Sequence, residues 1–152
     1  MNAADFQSIE RALDIHLPHD YKELLQDYPE EIAAARQLHL SDDTDWLIEQ
    51  NRFVRQTPES FFGKQTWRAE HFVIGEDGNG NCFYLNLHKG PPSPVYFLNH
   101  EQPDLEDQEA APDFASWLPR VQAQLEEYAR NAAELQANLA KTKPSKPWWK
   151  FW

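Results

Sequence analysis

Apolar positions along this chain change their period twice, and each change marks a structural boundary. From Phe6 to Tyr28 they recur at three- and four-residue spacing: Phe6, Ile9 and Leu13 share one face, then Tyr21, Leu24, Leu25 and Tyr28 share another. That spacing predicts two amphipathic helices, expected to form an antiparallel pair. Pro18 falls at the first turn of the second, where its missing amide hydrogen costs nothing, and Pro29 stops it. From His71 the period shortens. Phe72 and Ile74 alternate with smaller or polar neighbours, Cys82-Phe83-Tyr84-Leu85 is a run of strand formers, and Val95-Tyr96-Phe97-Leu98 is another. Asn79-Gly80 suits a tight hairpin needing positive φ, and Lys89-Gly90-Pro91-Pro92 supplies a second turn, so a three-strand antiparallel meander is predicted.

Between these regions, Leu38 to Leu40 and Trp46 to Val54 are candidate strands around the polar turn Ser41-Asp42-Asp43-Thr44-Asp45, giving about five strands in all. The segment from Thr57 to Ala69 reads as a loop whose Phe61, Phe62 and Trp67 fold back over the core. From Phe114 the helical period returns. Phe114, Leu118, Val121, Leu125, Tyr128, Ala132, Leu135 and Leu139 alternate spacings of four and three, a heptad-type stripe. Pro119 predicts a kink near its start, with the main helix running from there to about Lys141. At 1.5 Å per residue that helix is about 33 Å long, more than a compact domain needs, so its distal half is expected to be covered by its own domain or by a second copy. The fold class implied is α+β: a mostly antiparallel sheet of about five strands, an N-terminal helix pair, and a long C-terminal helix packed beside it. The organisation expected is a domain over 1–121, a continuation of the helix over 122–141, and a basic aromatic tail over 142–152.

The chain of 152 residues, 41% hydrophobic and 13% aromatic, is long enough to bury one core. No window reaches the roughly 18 apolar residues of a membrane span, and the start MNAADFQSIE is acidic where a signal peptide would be basic, so a cytoplasmic protein is expected. The single cysteine, Cys82, sits in a predicted strand and reads as a small buried apolar residue. The net charge of −11 divides unequally: residues 1–140 hold all 25 acids against 10 bases, while Lys141, Lys143, Lys146 and Lys150 stand in a tail without acids. A body of that sign repels phosphate, which argues against nucleic acid, and steers a cationic protein toward itself.

Several chemistries fail on inspection. The run Asp77-Gly78-Asn79-Gly80-Asn81 begins like a calcium loop, but Cys82 stands where the sharp-turn glycine belongs and His88 where the bidentate glutamate belongs. Gly78-x-Gly80 is followed by Phe83 and a strand, not by a third glycine and a helix, so it is no dinucleotide fingerprint. The six histidines, His16, His19, His39, His71, His88 and His100, contain no pair at helical metal-ligand spacing. His100 beside Glu101 resembles an acid/base pair, but neighbours on a strand face opposite ways, so a hydrogen-bonded histidine at a strand end is expected. No cofactor, metal or catalytic residue is expected.

Leu17-Pro18-His19-Asp20-Tyr21 after a first helix, the segment Trp46 to Asn51, Phe72-Val73-Ile74-Gly75-Glu76-Asp77-Gly78-Asn79-Gly80, and Val95-Tyr96 leading through His100-Glu101 to Phe114-Ala115-Ser116-Trp117-Leu118 occur in an order that resembles the SUKH superfamily. The resemblance spans roughly residues 5 to 121. That superfamily includes a fungal cell-wall synthesis regulator and many bacterial proteins of polymorphic toxin systems. It implies an α+β fold and a non-catalytic role in binding protein, chiefly as an immunity protein that neutralises a toxin. Its recurring residues map onto Pro18, Tyr21, Ile74, Gly75, Gly80 and His100, which read as turn, cap and core positions.

Two interaction surfaces remain. Asp42, Asp43, Asp45, Glu76, Asp77, Glu101, Asp104, Glu106, Asp107 and Glu109 are candidates for one acidic face toward a cationic toxin domain. Trp148, Trp149, Phe151 and Trp152 in KTKPSKPWWKFW suit docking on protein, lying at a lipid interface, or a disordered terminus. The expected partner is therefore a protein, with a membrane surface contacted through the tail and a homodimer through the helix as further options. The alternative to immunity is a housekeeping or signalling module recruited through its tail.

Overall fold

The computed structural model describes residues 1–35, 39–56, 67–101 and 108–142. In chain order the elements are α1 (Ala3–Leu13), α2 (His19–Gln26), a 3-10 segment (Glu30–Ala35), α3 (Thr44–Gln56), β1 (His71–Glu76), β2 (Cys82–Asn86), β3 (Val95–Leu98), β4 (Gln108–Ala111) and α4 (Phe114–Thr142). The sheet is antiparallel throughout, in the order β1-β2-β3-β4. The α+β class stands, with four strands rather than five.

Helix α1 forms with its ends satisfied. The Asn2 side chain accepts from the amides of Ala4 (2.8 Å) and Asp5 (3.2 Å), while the Asp5 carboxylate accepts from the Asn2 amide (2.7 Å), a complete capping box. Asp14 closes α1 in the left-handed conformation at φ 53°. The N-terminal amine at the start of α1 donates to Leu25 O at the end of α2 (2.6 Å), and Lys22 early in α2 pairs with Glu10 late in α1 (2.6 Å). These two contacts make the pair antiparallel, as expected. Pro18 stands one residue earlier than expected, at the N-cap of α2.

The expected strand Trp46 to Val54 is instead helix α3. Asp43 caps it, accepting from the Trp46 amide (3.0 Å), and its buried face is Leu47, Asn51 and Val54 at spacings of four and three. Leu40 is buried in a turn, not a strand; Leu38 lies outside the described residues, as do Phe61 and Phe62. Trp67 does fold onto the core, donating from Nε1 to His71 O (3.1 Å) and meeting Tyr84 edge-on.

Both faces of the sheet are covered. Phe72, Ile74, Phe83, Leu85 and Val95 join Phe6, Ile9, Tyr21, Leu25, Phe114 and Trp117 in the main core, and Tyr21 meets Phe72 edge-on and stacks on Phe114. The opposite face, Val73, Cys82, Tyr84, Tyr96 and Leu98, packs with Val54 and Trp67. The outer edge of β1 is sealed by α3: buried Asn51 accepts from Val73 N (2.8 Å) and donates to Val73 O (3.0 Å) and Leu47 O (2.8 Å). An edge strand is thereby denied to other chains.

Helix α4 starts at an Asp113 cap, where the carboxylate accepts from Ser116 N (2.7 Å), and continues through Pro119 as a single element about 43 Å long. Its first turns pack on β4 and on the 3-10 segment. Residues 126–140 are all exposed, including Tyr128 (45%), Leu135 (61%) and Leu139 (57%). Leu135 and Leu139, expected to be buried against the domain or a second copy, are thus more than half exposed in this chain. None of the described helices is long and apolar enough to cross a membrane.

Candidate functional site: an acidic pole

Strand register decides which acids meet. Glu76 pairs with Cys82, Cys82 with Leu98, and Phe97 with Gln108, so the ends of β1 and β3, the starts of β2 and β4, and the 77–81 loop share one end of the sheet. Ser41 N donates to Ile74 O (2.8 Å), which brings the segment leading into α3 to the same end. Of the candidate residues, Asp42 precedes α3, Asp43 is its cap, and Asp45 lies in its first turn, where an acid complements the helix dipole. Glu76 ends β1, Asp77 opens the hairpin loop, Glu101 follows β3, and Glu109 lies in β4. Asp43, Asp45, Glu101 and Glu109 are exposed, and Asp42, Glu76 and Asp77 half-buried. Asp104, Glu106 and Asp107, and the tail residues Trp148, Trp149, Phe151 and Trp152, lie outside the described residues.

At the other end Arg52 donates to Ala12 O (3.3 Å), and Arg55 to Leu13 O (3.2 Å) and Ala69 O (3.3 Å), beside the start of β1, and Lys89 lies in the β2–β3 turn; Asp14 and Glu70 stand at that same end. Arg120 donates to Ala110 O, next to Glu109 in β4. Because α3 runs antiparallel to β1, its acidic start and its arginine-bearing end fall at opposite poles.

The 77–81 loop is built for shape. The Asp77 carboxylate accepts from Asn79 N (2.8 Å), Asn81 N (3.2 Å) and Asn81 Nδ2 (2.7 Å), so its oxygens fold the loop. Partial burial pushes its pKa up, but the bonds from Asn81 and Asn79 outweigh that and hold it below the usual carboxylate range. The turn has five loop residues, not the expected two-residue Asn-Gly turn, and its positive φ values belong to Gly78 (79°) and Gly80 (90°). Asn81 Oδ1 accepts from His100 N (3.1 Å) and lies 2.9 Å from His100 Nδ1, which therefore carries the ring proton. The His100 ring rests on Gly80, where an added Cβ would sit 3.2 Å from Cε1. His100 is thus a hydrogen-bonded clamp between β3 and the hairpin, as expected. Sequence reasoning did not single out Asn81 or Asn51; an amide inside an apolar helical stripe is the signal that marks Asn51.

Two further groups bear on chemistry. Burial, reinforced by Asp77 and Glu76, pushes the Cys82 thiol up to about 12, so it is no nucleophile at neutral pH. His39 is buried against Phe83 (5.4 Å between ring centroids), and burial lowers its pKa against the opposing influence of Gln124 and Asp77. Among the described residues no group of three or more His, Cys, Asp or Glu side chains is placed to hold a metal ion. A cleft of about 380 Å³ lies between Asp14, His16, Glu70 and His88, away from the acidic pole.

A four-stranded meander with helices on its flanks, glycines serving the turns, and acids from four stretches of chain gathered toward one end of the sheet defines a small α+β domain with one acidic pole. The chain belongs to the SMI1 / KNR4 family (SUKH-1), whose model matches residues 1–120. That match spans the sheet and the first two turns of α4. Comparison with curated proteins and with solved structures finds no match.

Proposed function

We propose that this chain is a protein-binding module that serves as an immunity protein, docking a cationic toxin domain on its acidic pole so that the toxin's active site is covered. The observation that carries this reading is the convergence of Asp42, Asp43, Asp45, Glu76, Asp77, Glu101 and Glu109 from four separate stretches of chain toward one end of the sheet, with Arg52 and Arg55 at the other. Such an acidic surface accelerates and orients the encounter with a basic partner more than it deepens affinity. Membership of the SUKH-1 family is compatible with immunity, and equally with a regulatory module recruited through the basic tail.

The test uses Glu101 and Glu109, which are exposed and cap nothing. Against an inactive form of a basic toxin, where the gene's neighbourhood encodes one, reversing the two to lysine is expected to slow association at least tenfold at low salt and to flatten its salt dependence, with the melting temperature unchanged. An unchanged association rate removes this pole from the interface. A consistent absence of any toxin gene in the neighbourhood shifts the reading to the regulatory module.

A further inference from the structure

We propose that the projecting half of α4 pairs antiparallel with the same segment of a second copy, placing each basic aromatic tail against the acidic pole of its partner. This does not depend on the toxin-binding reading.

The seam is the continuation of the domain's own. Val121 is 2% exposed, Leu118 and Leu125 are half-buried, and the same alternation runs on through exposed Tyr128, Ala132 and Leu135 to Leu139. The flanking positions are Gln122, Gln124, Ala129, Asn131, Gln136 and Asn138, all uncharged, so two such helices meet without repulsion at the positions that govern coiled-coil pairing. Neutral flanks leave orientation to packing and long-range charge, and both favour antiparallel. In that arrangement Ala132 faces Leu135, small against large, and Tyr128 faces Leu139; a parallel pair sets Ala132 on Ala132 and leaves a void. A parallel pair also holds two bodies, residues 1–125 with 22 acids and 9 bases each, side by side, whereas the antiparallel one separates them by about 25 Å of helix, several times the roughly 8 Å screening length at physiological salt.

The tail explains the remaining affinity. Two heptads of helix bury less than the roughly 800 Å² per partner of a stable interface. In the antiparallel register position 142 lies level with Leu125 of the partner subunit. Gln124 neighbours His39, whose ring lies against Phe83 opposite Gly75 near the end of β1, and Ser41 two residues on bonds Ile74 O, so the helix leaves the domain toward the acidic pole. Lysines 143 and 146 follow immediately, and the tryptophans come next. An apolar cleft of about 320 Å³ between Pro29, Ile32, Leu118 and Pro119 lies about 10 Å further along. Within one chain the same cleft is about 36 Å from position 142, the whole extended reach of a ten-residue tail.

Sedimentation of the full chain at micromolar concentration tests this. A dimer is expected, with Leu135→Asp giving a monomer of unchanged melting temperature, since Leu135 is 61% exposed in its own chain; removal of residues 143–152 is expected to weaken dimerisation at least tenfold. A spin label on Ala123→Cys reports about 31 Å or more across an antiparallel pair and under about 20 Å across a parallel one. A monomer at tens of micromolar, a dimer that survives Leu135→Asp, or a short label distance overturns the proposal. So does a monomer whose tryptophan emission shifts blue on anionic phosphatidylserine vesicles, which assigns the tail to lipid instead.

Discussion

Replacing Asn51 by leucine removes the seal on the edge of the sheet while keeping the number and branching of the side chain's heavy atoms. Asn51 is fully buried and makes three hydrogen bonds, two of them to the amide and carbonyl of Val73. The bond to Leu47 O is expendable, because that carbonyl is also positioned to accept within α3. The two Val73 groups have no such reserve: β1 is an outer strand, and leucine leaves both buried and unpaired. Each such group costs about 1–3 kcal/mol, so the loss is about 2–6 kcal/mol. Against a total of about 5–15 kcal/mol for a domain, that is a large fraction of stability. Urea unfolding followed by tryptophan fluorescence is expected to show a midpoint lower by about 1–3 M with an unchanged slope, taking about 2 kcal/mol per molar for the slope. Asn51→Asp separates hydrogen bonding from packing. It keeps an acceptor for Val73 N but turns a carboxylate toward Val73 O, so its pKa in the fold rises. Stability of this variant is therefore lowest above the folded pKa and recovers as pH falls through it, the opposite of an ordinary carboxylate. A leucine variant within about 1 kcal/mol of the parent, or an aspartate variant without that recovery, would refute the account of how α3 is held.

Two other outcomes follow from the same geometry. Burial lowers the His39 pKa, so the unfolded chain takes up a proton that the fold refuses; stability is complete above about pH 6.5 and falls below it, at up to about 1.4 kcal/mol per pH unit. Denaturation between pH 5 and 7 is expected to show this slope and to lose it in His39→Gln, whereas an unchanged slope assigns it to other groups. Gly80→Ala, which combines φ +90° with a Cβ 3.2 Å from the His100 ring, is expected to cost about 1–3 kcal/mol, while Gly90→Ala, with nothing within 4 Å, costs under about 0.5 kcal/mol; equal effects in the two melting curves would contradict the clamp.

The parts of the fold legible in the sequence are those whose pattern is local. The meander could be read because Cys82 to Leu85 and Val95 to Leu98 are runs of strand formers between turn residues. Helix α3 could not, because Trp46, Ile48, Phe53 and Val54 favour a strand and the buried amide of Asn51 interrupts the apolar stripe; what settles it is the Asp43 cap and a bond to a strand 22 residues away. Strand β4, Gln-Glu-Ala-Ala, carries no strand signal and exists because β3 offers it an edge. The acidic pole was legible as charge but not as a place. Asp42 to Asp45 and Glu76-Asp77 meet because α3 and β1 run antiparallel, a relation that the misassigned strand concealed.

Helix α4 shows why a pattern can be right while its meaning stays open. One heptad alternation runs from Phe114 to Leu139 without a break, yet it buries Val121 to 2% and leaves Leu135 61% exposed. The boundary between these outcomes is not written in α4. It lies in the reach of its neighbours, since β4 has only four residues and the 3-10 segment six, enough to cover the first turns and no more. An apolar stripe that outlasts its cover by two heptads gains nothing for the domain and carries a solubility cost in a single chain. The same residues gain burial once a second surface is present, so the length of α4 is intelligible as part of an assembly and not as part of the fold.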